Sequence, residues 1–92
     1  MKTTVELQVI PVGVGVSVRE EIKQVVDILN SYDFLIETHA SGTNIEGDLD
    51  DVLNAINKIH TVLHEKGAVR LLSYIKIETR TDKVPTLAGK KL

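Results

Sequence analysis

The sequence predicts an α+β domain in which strand, helix and strand follow one another twice. Four antiparallel strands would then form one sheet, with two helices on a single face. Three observations predict it. Thr4 to Ile10 alternates apolar and polar residues, the period of a half-buried strand. Two later stretches carry apolar residues at helical spacing, and strand-like runs flank both. Ser41-Gly42 supplies turn chemistry between the two halves.

In the first strand Val5, Leu7 and Val9 share one face, and Glu6 and Gln8 the other. Pro11-Val12-Gly13-Val14-Gly15-Val16 is expected to break it, because glycine admits backbone angles that other residues avoid. Ser17-Val18-Arg19-Glu20 matches a capping box, with Ser17 as the cap and Glu20 at the third helical position. Val18, Ile22, Val25, Val26 and Leu29 then form the stripe of a helix ending near Asn30 to Asp33. Phe34 to Ala40 reads as the second strand, with Phe34 and Ile36 inward, and Thr43 to Gly47 as a short third, with Ile45 inward. Asp48 caps a second helix with the stripe Val52, Leu53, Ile56, Ile59 and Leu63, and Gly67 stops it. Val69 to Thr79 is the fourth strand, with Leu71, Ser73, Ile75 and Ile77 on one face.

Two βαβ halves of this kind interleave into the ferredoxin-like βαββαβ sandwich, with strands two and four at the edges. Exposed edges invite pairing with another subunit. The face without helices should carry Glu6, Gln8 and Glu37 together with Ile10, Leu35, Leu72 and Tyr74. That much apolar surface on a solvated face predicts stacking of sheets between subunits, as a homodimer or homotetramer. Residues 1–80 form the domain, and 81–92, polar and holding Pro85 and Gly89, a tail or oligomer arm.

Composition narrows the function classes. A net charge of −2 without a long like-charge run argues against nucleic-acid and anionic-membrane surfaces. The absence of cysteine excludes disulfides, thiolate catalysis and zinc–thiolate sites, and fits a cytoplasmic protein. No apolar run approaches membrane-spanning length, and no signal-peptide core follows Met1. RNA-recognition domains of this topology stack bases on aromatics of the central strands. Here those positions hold Glu6, Gln8, Asn44 and Glu46, which stack nothing and repel phosphate.

His60 and His64 share a helix face, but the run lacks the glutamate of a zinc-protease helix and no third ligand follows at a telling distance; two partly exposed helix histidines are expected, not a metal site. Gly13, Gly15 and Ser17 precede a helix as phosphate-cradling loops do, yet form neither a P-loop nor a complete GxGxxG. A tight connection is expected, with backbone contact to a ligand as the alternative. The serines sit in no nucleophile elbow. Glu6, Glu37 and Glu46 would neighbour one another on a solvated face, which does not require acid–base chemistry. No catalysis is expected.

Ile10-Pro11-Val12-Gly13-Val14-Gly15-Val16-Ser17-Val18, then Ser41-Gly42-Thr43-Asn44-Ile45-Glu46-Gly47-Asp48-Leu49-Asp50, begin a specific ordered set. Gly67-Ala68-Val69-Arg70, Ser73-Tyr74-Ile75-Lys76-Ile77 and Arg80-Thr81-Asp82-Lys83 complete it. Over roughly Val5 to Lys90 the chain resembles the small thiamine-binding protein family. It departs at Glu78-Thr79, where the family often has an acidic pair, and at Tyr74, where a smaller or aliphatic residue is common. The resemblance implies a homo-oligomer that binds thiamine or its hydroxymethylpyrimidine moiety as a ligand, not as a cofactor, without catalysis. The alternative is a structural or regulatory oligomerisation module with no small-molecule ligand.

Such a ligand needs a carboxylate for its amino group or cation, hydroxyls along the polar edge and aliphatic walls. Glu46 with Thr43 supplies the first combination; Ser73 is the odd polar residue on an inward row, and Ser41 and Asn44 lie close by in sequence. Each has a structural alternative: Ser73 bonded to local backbone, Glu46 paired with Lys76.

Overall fold

The structure, a computed structural model, describes residues 1–13 and 19–91. The elements run β1 (Lys2–Val12), α1 (Arg19–Asn30), β2 (Leu35–His39), β3 (Gly42–Asp48), α2 (Leu49–Glu65) and β4 (Arg70–Glu78), followed by a 3-10 turn at Ala88–Lys90. The four strands form one antiparallel sheet in the order β2-β3-β1-β4. The expected βαββαβ architecture is therefore observed. Each helix bridges two strands that are not neighbours, so both lie over the same face.

Strand alternation decides what is buried. Val5, Leu7 and Ile45 face the helices and are almost fully enclosed, packed against Val25, Ile28 and Leu29 of α1 and Val52, Ala55, Ile59 and Leu63 of α2. Burial of each large aliphatic contributes about 1.5–3 kcal/mol. The second helical stripe differs from the expected one at two positions. Leu53 points outward at 48% exposure, and Ala55, fully buried, takes an inward place.

Helix α2 begins as its sequence requires: the Asp48 carboxylate accepts from the Asp50 N–H at 3.2 Å. It ends at Gly67, whose φ of +111° lets the Gly67 and Ala68 N–H groups reach back to His64 O and Leu63 O. The capping box expected at Ser17 to Glu20 begins outside the described residues.

β1 runs on through Pro11 to Val12 and does not break at the proline as expected. Its pairing explains why. β1 faces β3 only as far as Leu7↔Thr43, whereas it faces β4 up to Val12↔Arg70. From Gln8 onward one edge of β1 is free of strand partners among the described residues, and a residue without an N–H is tolerated there.

The face away from the helices is not wholly open. After β4, Arg80 grips Asp82 through two hydrogen bonds, Nε to Oδ1 at 2.8 Å and Nη2 to Oδ2 at 2.5 Å. The chain then returns across that face. Pro85 and Leu87 are buried there, the Leu87 N–H donates to Glu46 Oε1 at 2.7 Å, and Lys90 and Lys91 pair with Glu78 and Glu37. The surface expected to be free for a second sheet is thus strapped in part by the chain itself. Leu35, Leu72 and Tyr74 remain exposed on it.

Candidate ligand cleft

The sheet splits where β1 and β3 part company. Beyond Leu7↔Thr43, β1 continues with β4 while the β2–β3 hairpin turns back at Ala40 and Ser41. Helix α1 lies over the gap. The result is a cleft of about 340 Å³, walled by Leu7, Val9, Pro11, Ile22 and Val25 and rimmed by Thr38, His39, Ser41 and Thr43. Apolar walls with a few convergent polar groups are the usual make-up of a small-molecule site, and the volume lies at the lower end of the usual range. Backbone groups on that edge of β1 add hydrogen-bonding capacity that no strand among the described residues consumes. At the base of the cleft Gly42 touches β1: a Cβ there would stand 2.5 Å from Leu7 O.

The rim is organised by His39. Its Nδ1 accepts from the Ser41 N–H at 3.2 Å, so in the neutral ring the hydrogen sits on Nε2. Nε2 faces Asn44 Oδ1 at 3.2 Å and Glu6 Oε2 at 3.6 Å. The hairpin tip is therefore held to the outer face of the sheet by one side chain.

A second concavity, of about 330 Å³, lies on the other face, between the sheet and the C-terminal strap. It is lined by Glu6, Glu37, Asn44, Lys76 and Glu78 from the strands and by Leu87, Lys90 and Lys91 from the strap. Its charges are largely spent on one another. Lys90 donates to Glu78 at 2.5 Å and holds that carboxyl below its ordinary 4.5, against a weaker opposing effect of burial.

The five residues singled out as ligand contacts do not share one place. Thr43 is buried and Ser41 exposed, and both line the cleft under α1. Asn44 and Glu46 lie on the opposite face, Asn44 bound to His39 and Glu46 to the Leu87 N–H. Thr43 and Glu46 are three residues apart on one strand, and an odd separation puts their side chains on opposite sides. They cannot converge on one ring. Nor does Glu46 pair with Lys76; the register sets Glu6 opposite Lys76.

Ser73 lies on the helix side at the far edge, where its Oγ is 2.6 Å from His60 Nε2. Its partner is thus a helix side chain, not local backbone. His64 Nδ1 lies 2.8 Å from Ala68 O, so each member of the histidine pair has its own protein partner. Gly13 is exposed with φ +84°, while Gly15 and Ser17 lie outside the described residues. Sequence reasoning missed His39 and the part of Ile22 in the wall. In the sequence Ile22 is one more member of an apolar stripe; that it borders a gap, 45% exposed, is visible only in the structure.

Comparison with known proteins gives consistent relationships. Residues 5–91 match the family model described as thiamine-binding protein. UPF0045 protein MJ1052 of Methanocaldococcus jannaschii is 40% identical over 90 residues, covering 97% of this chain and 88% of that one. UPF0045 protein sll0230 of Synechocystis is also 40% identical over 90 residues, covering 98% and 74%. The crystal structure of MJ1052 superposes with a TM-score of 0.90 at 37% identity, over 97% of this chain and 91% of that one. A Thermotoga maritima structure, described provisionally as a thiamine biosynthesis or salvage protein, superposes with a TM-score of 0.86. At 22% identity, over 98% and 95% of the two chains, it bears on the fold alone.

Proposed function

This chain belongs to the thiamine-binding protein family, and from that premise we propose that it is a non-catalytic binding protein for thiamine or its hydroxymethylpyrimidine moiety. We place the pyrimidine ring in the cleft under α1. The observation that carries this reading is the split in the sheet, which leaves an aliphatic slot with a polar edge. Leu7, Val9, Ile22 and Val25 would hold the ring faces. Thr43 Oγ1, Ser41 and the backbone edge of β1 beyond Leu7 would meet its amino group and ring nitrogens, which present donors and acceptors along one edge. The cationic thiazolium of thiamine would remain at the open rim, where water solvates it. Subunits would assemble as a homo-oligomer.

No nucleophile–base pair borders the cleft among the described residues, and binding alone accounts for the groups there. Isothermal titration with thiamine and with hydroxymethylpyrimidine tests the reading. Both should bind and raise the melting temperature. Thr43→Val, which keeps shape and removes the hydroxyl, should weaken binding by about tenfold. Absence of heat and of thermal stabilisation with both compounds would overturn it.

A further inference from the structure

We infer that His39 is a proton-operated latch on the rim of the cleft: its neutral ring holds the tip of the β2–β3 hairpin shut, and protonation releases it. The consequence for binding rests on the ligand reading; the latch itself does not.

The turn is the first observation. Ala40 and Ser41 form a two-residue loop between the paired residues His39 and Gly42. Two-residue hairpin loops are favoured when their central residues have positive φ, because that backbone matches the twist of the strands. Neither Ala40 nor Ser41 has one. A turn of the other hand splays the strands, so this tip needs a tie besides its ladder. The Ser41 N–H supplies one by donating to His39 Nδ1 at 3.2 Å. Just below, Gly42 packs against the Leu7 carbonyl and keeps the base of the hairpin in place. Release is therefore confined to Ala40 and Ser41, both of which line the cleft.

The surroundings of the ring are the second observation. Imidazole is the side chain whose charge ordinarily changes between pH 5 and 8. A protonated ring donates from both nitrogens. Its Nδ1–H would then face the Ser41 N–H, donor against donor, and the tie is lost. The other end of the ring gains. Nε2 stands 3.2 Å from Asn44 Oδ1 and 3.6 Å from Glu6 Oε2, both acceptors on the outer face. The proton thus draws the ring toward Glu6 as it drops Ser41. Other charges on that face are Glu37 of β2, which pairs with Lys91 of the strap, and Lys76 of β4, opposite Glu6 in the ladder. Helix α1 brings Ile22 and Val25 to the cleft, both apolar.

Two substitutions separate the states. His39→Asn keeps an acceptor for the Ser41 N–H at every pH, since asparagine bonds the backbone two residues on; His39→Phe has none at any pH. Nuclear magnetic resonance on the free protein reads the latch. In the unmutated chain the Ser41 amide should show the small temperature coefficient of a bonded proton at pH 8 and a large one at pH 5. Backbone order at Ala40 and Ser41 should fall in step with protonation of the His39 ring. His39→Asn should stay latched throughout, and His39→Phe unlatched throughout. Isothermal titration with hydroxymethylpyrimidine reads the consequence. The pyrimidine takes up a proton of its own in acid, so the comparison is between chains. From pH 8 to pH 5 the unmutated chain should lose roughly fivefold more affinity than His39→Asn. A Ser41 amide still bonded at pH 5 in the folded chain would sink the proposal, and so would equal affinity losses in the two chains. If the pyrimidine binds neither chain at any pH, the ligand reading fails, and the resonance measurements still decide the latch.

Discussion

The Leu87 N–H donates to Glu46 Oε1 across 2.7 Å, joining residues 41 positions apart and pinning the C-terminal segment to β3. The side chain of Leu87 is 8% exposed beside this bond, so an apolar anchor and a polar one coincide. Glu46 is thereby a structural residue of the strapped face.

Glu46→Ala should therefore free the strap while leaving ligand affinity in the cleft under α1 unchanged. Loss of a hydrogen bond to a charged acceptor costs on the order of 1 kcal/mol. Amide exchange at residues 85–91 should accelerate, and Glu46→Gln, which keeps an acceptor oxygen, should show a smaller effect. Reduced thiamine binding with a protected strap would contradict this assignment.

The strap should also loosen in acid. Lys90 holds the Glu78 carboxyl below its ordinary 4.5, so the folded form binds protons more weakly than the unfolded chain. That contribution is complete above 4.5 and is lost as pH falls through the lowered folded value. The protection of the amides at residues 87–91, taken relative to the intrinsic exchange rate at each pH, should stay flat from neutral pH down to that window and then fall. Lys90→Met should abolish the step, and high salt should blunt it, because the pair is partly solvated.

Ser73→Ala should destabilise the fold by about 1 kcal/mol, since it strips a half-buried His60 Nε2 of its partner. A double-mutant cycle with His60→Phe, read by urea denaturation, should give a coupling of about 0.5–1.5 kcal/mol. Additive effects would show that the two side chains do not act together.

Gly42→Ala should lower stability by about 1–3 kcal/mol, because the new methyl group meets the Leu7 carbonyl, which belongs to backbone and cannot rotate aside. The strain would fall where β3 leaves β1, so the cleft should distort with it. Chemical shift changes confined to Leu7–Pro11 and the hairpin would locate the effect.

Much of the fold was legible from local patterns. Alternation at Val5, Leu7 and Val9 fixes a strand whatever its partners, and Asp48 and Gly67 mark helix ends through chemistry that acts within a turn. The same alternation already implied that Thr43 and Glu46 point apart, although their closeness in sequence looks like closeness in space. The two stripe positions that differed, Leu53 and Ala55, depend on how near two layers come, which no single helix records.

Sequence alone thus determined the elements, their order and which row of each strand is apolar, because propensity, capping and period are properties of neighbouring residues. Only the tertiary structure decided where β1 and β3 separate, that residues 84–91 double back over the sheet to Glu46, and that His60 meets Ser73. Those contacts join residues from 13 to 41 positions apart, and their energies exist only once the strands have paired and set the distances. The cleft is of the same kind: it is a gap in a ladder, and a gap is defined by the partners on either side of it.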